Sequence, residues 1–441
     1  MKKKLVLMSC AILFLGSVFA QQQRVKFTEF KLKNGLDVIL HQDNSTPIVA
    51  VSVLYHVGSK NEVAGHTGFA HFFEHLMFEG SKYIGRGEYF KTVLNAGGEL
   101  NANTSFDRTY YYEVLPSNQL ELGLWMESER MLHLKIDSIG VETQRAVVKE
   151  ERKQSYENRP YGTILEKTFA NAFKVHPYQW TPIGYPEDIN KATLKEFMEF
   201  HSIYYVPNNA TLCIAGDIDE QGARKLVEKY FGDIPAGTKP IYRPSLVEPV
   251  KTQEVREIVY DNIQLPAVIM SYHIPAQGTE DYYALSMLGT LLSGGESSRL
   301  NKALVDQQQK ALQVMSFPFP SEDPGLMLMF GICNMGVSAD DLEKGMDMEI
   351  EKFKKDGLSP KEFEKLRNQV ESNFVKSSSS MEQIAENLSN YKVYYGDANL
   401  INTELDRYLK VTSEDLKRVA QKYLTKENRV VLHYLSKADK K

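Results

Sequence analysis

The sequence predicts an α+β protein built from two homologous domains, each an antiparallel sheet with helices packed on one face. Three observations predict it. First, the stretch from Thr193 through Tyr204 to Asn209 resembles that from Thr412 through Tyr423 to Asn428 at a constant shift of 219 residues. Val51-Ser52-Val53-Leu54-Tyr55-His56 likewise parallels Val268-Ile269-Met270-Ser271-Tyr272-His273 at a shift of 217. Second, short strand-like runs precede long helical patterns within each copy, the order expected when helices segregate to one face of an antiparallel sheet. Third, 441 residues with 42% apolar and 25% charged content supply core material for two domains and exclude disorder as the main state.

From the N-terminus, Lys2, Lys3 and Lys4 precede the apolar run Leu5 to Leu15, and Val18-Phe19-Ala20 forms a small-x-small site before Gln21. This pattern predicts a cleaved signal peptide over residues 1–20 and an exported, periplasmic protein. The apolar stretch is short for a membrane span and has no stop-transfer flank, so no stable span is expected. Lipoprotein processing at Cys10 is the weaker alternative, because the apolar run continues past it. A net charge of −5, and no basic run interleaved with aromatics after the leader, argue against nucleic acid as a partner. Three cysteines exclude a disulfide framework and a four-cysteine metal site, and Cys213 and Cys333 read as buried thiols within strand-like stretches.

The N-terminal domain is expected over residues 21–235. Its strands are Asp37-Val38-Ile39-Leu40 and Val49 to His56, followed by a helix over Thr67 to Phe78. A polar extended stretch, Glu99 to Phe106, leads to a second strand, Thr109 to Leu115, and to a helix, Gln119 to Met131. A helix and the strand Ala210-Thr211-Leu212-Cys213-Ile214-Ala215 close the domain. Pro235-Ala236-Gly237-Thr238-Lys239-Pro240 then replaces periodic pattern with breakers, which predicts a linker over 236–250 and the second domain over 251–441.

The chemistry lies in the helix at Thr67 to Phe78. At about 100° per residue, His71 and His75 fall about 40° apart on one face, with Glu74 about 60° to the other side of His71. Two imidazoles one turn apart can chelate a single Zn²⁺, with a carboxylate beside them to take a proton from the water that the metal activates. Phe69, Ala70, Phe72, Phe73, Leu76, Met77 and Phe78 make the helix apolar nearly all round, so a buried polar trio needs a partner. The repeat supplies an independent check. Shifting His71, Glu74 and His75 by 217 lands on Leu288, Leu291 and Leu292. The second copy therefore does without the trio, and chemistry rather than architecture is its reason. His56 and His66, not one turn from the pair, read as ordinary.

Two His leave a catalytic zinc in need of a third protein ligand. H-x-x-E-H followed by a Glu within Arg145-Ala146-Val147-Val148-Lys149-Glu150-Glu151-Arg152 resembles the pitrilysin, insulin-degrading and mitochondrial processing peptidase family, the inverted zincins. The resemblance extends over Gly97-Gly98-Glu99-Leu100-Asn101-Ala102-Asn103-Thr104 with Asp107 and Thr109. It continues through Asn158-Arg159-Pro160-Tyr161-Gly162 and Leu291-Leu292-Ser293-Gly294-Gly295-Glu296-Ser297-Ser298-Arg299-Leu300. It is closest in size and layout to the short exported bacterial branch.

The resemblance implies a zinc endopeptidase holding one zinc per chain through His71, His75 and Glu151, with Glu74 as general base. Glu150, one residue away, is the alternative distal ligand. It further implies that Asn101, Ala102, Asn103 and Thr104 lie on an edge strand that pairs with an extended peptide substrate. The same pattern also suits an edge strand kept polar against aggregation. Gln144 stands where family members often carry a Glu that supports the site. Val305 and Leu312 stand where members that act alone carry an Arg and a Tyr that hold the substrate. Neither can donate a hydrogen bond. The expectation is a heterodimer with a homologous chain that lacks the metal motif and supplies the missing pair, with a homodimer as the alternative arrangement. The rival function is a non-catalytic peptide-binding or chaperone-like subunit with the same shell.

Overall fold

The computed structural model describes residues 24–440, and the leader predicted over residues 1–20 lies outside the described residues. The N-terminal half contains β1 (Thr28–Lys31), β2 (Asp37–Gln42), β3 (Ile48–Tyr55), β4 (Glu99–Thr104), β5 (Thr109–Pro116) and β6 (Ala210–Gly216). Its helices are α1 (Phe69–Leu76), α2 (Glu88–Asn95), α3 (Leu120–His133), α4 (Ser138–Arg152), α5 (Ile164–Ala172), α6 (Pro186–Lys191), α7 (Leu194–Tyr204) and α8 (Glu220–Phe231). The C-terminal half repeats the order with β7 (Val255–Asp261), β8 (Ala267–Ile274), β9 (Ala311–Pro318), β10 (Gly325–Cys333) and β11 (Arg429–Ser436). Its helices are α9 (Glu280–Ser293), α10 (Ala339–Asp356), α11 (Pro360–Lys376), α12 (Met381–Tyr395), α13 (Leu400–Lys410) and α14 (Ser413–Tyr423). Among the described residues no helix is long and apolar enough to cross a membrane.

The strand order is β1-β2-β6-β3-β5-β4 in one sheet and β7-β11-β8-β10-β9 in the other. Both sheets are mixed, where the sequence reading expected pure antiparallel pairing: β6 runs parallel to β2, and β11 parallel to β7. Geometry forces this. β2 and β3 are joined by a short turn and run in opposite directions, so a late strand inserted between them must be parallel to one and antiparallel to the other. β4 and β9, each paired on one side only, are corresponding edge strands.

One face of the N-terminal sheet buries Val49, Val51, Val53 and Tyr55 against Phe69, Phe72 and Phe73 of α1, Phe197 of α7 and Val227 and Phe231 of α8. The equivalent face of the other sheet buries Val268, Met270 and Tyr272 against Leu285, Leu288 and Leu292 of α9 and Leu416 and Val419 of α14. The opposite faces are covered by exchange. Ile384, Ala385 and Leu388 of α12 pack on Ile39, Ala50, Cys213 and Ala215 of the N-terminal sheet. Phe169, Ala172 and Phe173, on and just after α5, pack on Ala267, Ile269, Val430 and Leu432 of the C-terminal sheet. This explains why β3 and β6 are apolar runs, IVAVSVLY and ATLCIAG, rather than alternating ones: they are covered on both sides.

Polar contacts lock the two halves. Lys60 is buried with its Nζ 3.0 Å from Asp107, and the C-terminal half brings Glu322 to 2.5 Å and Asp323 to 3.1 Å. The chain between α8 and β7 is an extended strap that is held along its length. Asn61 donates to the Tyr242 carbonyl at 3.0 Å, and Glu248 accepts the backbone N–H groups of Lys174, Val175 and His176 at 2.8–2.9 Å.

Candidate metal centre

α1 is preceded by Gly68, whose φ of 87° lies in the left-handed region and whose missing side chain leaves the helix no cap of its own. Glu62 supplies the acceptor from outside the helix. Its buried carboxylate takes the N–H of Gly68 and of Ala70, both at 2.9 Å. The helix is then fixed by stacked rings, Phe69 and Phe72 on Phe197 at 4.7 and 4.4 Å and Phe73 on Phe200 at 5.6 Å. His71 and His75 emerge from the one face left free, with Nε2 atoms 3.3 Å apart.

The last turn of α4 brings Glu151 to the same point. One carboxylate oxygen lies 3.5 Å from His71 Nε2 and 3.2 Å from His75 Nε2, so three ligand atoms converge. Glu150 turns away from them, accepting from the Gln154 amide at 3.2 Å and standing 3.7 Å from Lys153. Burial and the neighbouring His75 hold the His71 imidazole at about 4, which keeps it in the neutral form that binds metals. A hydrogen bond from His75 holds the Glu151 carboxyl below its ordinary value, against the burial that pushes it up. Two imidazole nitrogens and one carboxylate oxygen, in a half-enclosed position with a face left open, form a donor set that fits zinc.

Glu74 lies on the same helix but outside the triangle. Burial pushes its carboxyl up, opposed by the Thr104 hydroxyl, which donates to Oε2 at 2.6 Å. In β4 the side chains alternate. Leu100, Ala102 and Thr104 lean toward the helices, while Asn101 and Asn103 are exposed on the other face, where Arg108 donates to Asn103. Arg108 also donates to Asn390 at 3.0 Å and pairs with Glu386, so α12 of the other half reaches the edge strand.

Gln144 hydrogen-bonds to none of His71, His75 and Glu151. It sits two turns before Glu151 and donates its amide to Glu79 at 2.5 Å, a buried carboxylate that also pairs with Arg86. A Glu at 144 would oppose Glu79 with like charge, so the amide suits that partner rather than His71, His75 or Glu151. Val305 is half-buried against the C-terminal core, and Leu312, 54% exposed, is the second residue of the edge strand β9. Leu288, Leu291 and Leu292 are buried in α9, filling with core the positions that carry the trio in α1. A second carboxylate–imidazole group, Asp340, Glu343 and His433, is an ion-pair cluster: the Glu343 oxygens are already taken by Arg256, Arg429 and His433.

Sequence reasoning missed Glu62 and Arg108. Gly68 was the available signal for the first, since a buried helix start without a capping side chain needs an acceptor from elsewhere.

Two family profiles match this chain: "Insulinase (Peptidase family M16)" over residues 37–184 and "Peptidase M16 inactive domain" over residues 191–370. The chain is 35% identical to the zinc protease PqqE of Helicobacter pylori over 426 residues, covering 96% of each. It superposes on the crystal structure of a protease from Helicobacter pylori with a TM-score of 0.89 at 33% identity, covering 93% of this chain and 99% of that one. It shares its fold with the periplasmic protease PqqL from Escherichia coli, with a TM-score of 0.78 at 18% identity, covering 94% of this chain and 48% of that one.

Proposed function

The chain belongs to peptidase family M16, and on that footing we propose that it is a zinc-dependent endopeptidase cutting extended peptides, with one zinc held by His71, His75 and Glu151. The observation that carries the reading is the convergence of three ligand atoms from two helices beside Glu74, in the half whose repeat has leucine at all three helix positions. The chemistry that a bound zinc supplies is Lewis acidity toward the scissile carbonyl and the attacking water. Glu74 accepts the proton of that water and delivers it to the leaving amine, and its raised pKa brings it nearer to the range where both transfers are efficient. The Thr104 hydroxyl holds that carboxylate in one orientation. The outer edge of β4, Asn101 to Thr104, which no other strand among the described residues covers, pairs with the substrate main chain, so the strand that aligns the peptide also aligns the base.

Val305 and Leu312 leave the chain without the Arg and Tyr of members that act alone, which supports a heterodimer with a homologous chain that supplies them, and a homodimer as second arrangement. The E. coli protease, of which this chain spans 48%, has room for two such units in one polypeptide, which supports pairing of units. The leader pattern supports export to the periplasm. The same two apolar positions favour the second reading, a peptide-binding subunit that does not cut.

Zinc content and peptide cleavage of the mature chain and of Glu74→Gln, each with and without a co-purifying partner, decide between them. One zinc per chain in both, with cleavage only by the wild type, is the expected result. Zinc without turnover even beside the partner would move the reading to the binding subunit.

A further inference from the structure

His71 and His75 share one helix, so the helix fixes their spacing. Glu151 comes from α4, and a metal site tolerates only a few tenths of an ångström of error in such a gap. The segment 184–188, which runs into α6, joins the two helices at this point. On the α1 side, the Thr67 hydroxyl donates to Asp188 at 2.8 Å, the Thr67 N–H donates to the same oxygen at 3.2 Å, and the Tyr185 N–H donates back to the Thr67 hydroxyl at 2.9 Å. Gly184, at a φ of 66°, lies so close that a Cβ there would stand 2.4 Å from the Gly68 nitrogen. On the α4 side, Arg152, the residue after Glu151, donates to the Gly184 carbonyl at 2.8 Å and pairs with Glu166 at 2.7 Å. Thr67 and Asp188 are buried, and the Arg152 side chain is 11% exposed. A continuous path of short contacts therefore runs from the Glu151 backbone through Arg152 and Gly184 to Thr67 and Gly68, just before α1.

We infer that Arg152 and the Thr67–Asp188 pair are positioning residues, a clasp that sets the gap between the His pair and Glu151 and thereby the zinc affinity. The inference rests on the zinc reading above. Partners that orient metal ligands typically change metal affinity about 10- to 100-fold when lost; Arg152 and the Thr67–Asp188 pair touch no ligand side chain and act through the backbone of the two helices.

The test is zinc affinity by chelator competition, with the thermal midpoint of the metal-free protein measured beside it. Arg299→Met is the control. Arg299 likewise donates to a backbone carbonyl, Gly357 at 2.7 Å, and pairs with a Glu, but in the C-terminal half. Arg152→Met is expected to bind zinc about 10- to 100-fold more weakly, with Arg152→Lys recovering part of the loss and Asp188→Asn falling between, while Arg299→Met keeps wild-type affinity. Wild-type affinity in both Arg152→Met and Asp188→Asn would overturn the clasp. Should Arg152→Met not fold, wild-type affinity in Arg152→Lys together with Asp188→Asn would overturn it equally. A wild-type chain that binds no zinc, or binds it undiminished in His71→Ala, would instead remove the zinc reading on which the clasp rests.

Discussion

Glu150 and Glu151 are adjacent, chemically identical, and placed in different worlds by the 100° turn between them. Glu151 faces two imidazoles, whereas Glu150 faces water and an exposed lysine. Glu151→Gln is therefore expected to lose zinc on dialysis, and Glu150→Gln to keep it with stability changed by no more than about 1 kcal/mol. Metal analysis of the two dialysed proteins checks this, and the reverse outcome would reassign the distal ligand. The trio His71, Glu74 and His75 was legible because helical spacing alone puts the two His on one face. The contact of Gln144 was not legible, because its partner, Glu79, sits just beyond another helix, and no periodicity reports which residues of two separate segments meet.

At the scale of elements, β4 is joined to α1 by the Thr104–Glu74 hydrogen bond. Thr104→Val keeps the branched shape that suits a strand and removes only the donor. A hydrogen bond to a charged group contributes roughly 1.5–3 kcal/mol, so kcat is expected to fall by about tenfold or more while KM for an extended peptide stays nearly constant. Steady-state kinetics on one peptide reads the split, and a change confined to KM would mean that Thr104 serves the strand rather than the base. Most elements were readable. The expected strands Val49 to His56 and Thr109 to Leu115 are found at Ile48–Tyr55 and Thr109–Pro116, because apolar density and turn residues mark them locally. α1 begins two residues later than its pattern suggests, at Phe69, because Gly68 adopts a left-handed conformation. The parallel pairs β2–β6 and β7–β11 left no mark in the sequence, since insertion of a late strand between two early ones is a tertiary event.

At the scale of the whole molecule, the halves meet around Lys60. Burial pushes the Glu322 carboxyl up, but the hydrogen bond and charge of His56 and the charge of Lys60 outweigh it and hold it at about 2, below the ordinary 4.5. A carboxyl depressed in the folded state stabilises it above the unfolded pKa, and that contribution is lost as pH falls through the folded pKa. The wild-type urea midpoint is accordingly expected to drop between about pH 4.5 and pH 2. Glu322→Gln should start lower at pH 7 and change less over the same window. Parallel curves by tryptophan fluorescence would show that the Lys60 cluster does not couple the halves through Glu322. The repeat announced two related halves, but not their exchange of α5 and α12. Each of these helices buries an apolar face as any amphipathic helix does, and nothing local tells whose sheet it will cover.

That exchange also sets a timetable. The chain emerges N-terminus first, so one that has completed its first sheet before α12 follows still presents Ile39, Ala50, Cys213 and Ala215 to water. The cover for that face is among the last segments to emerge. Until it arrives, the unfinished half carries a bare apolar surface of the kind that holding chaperones bind.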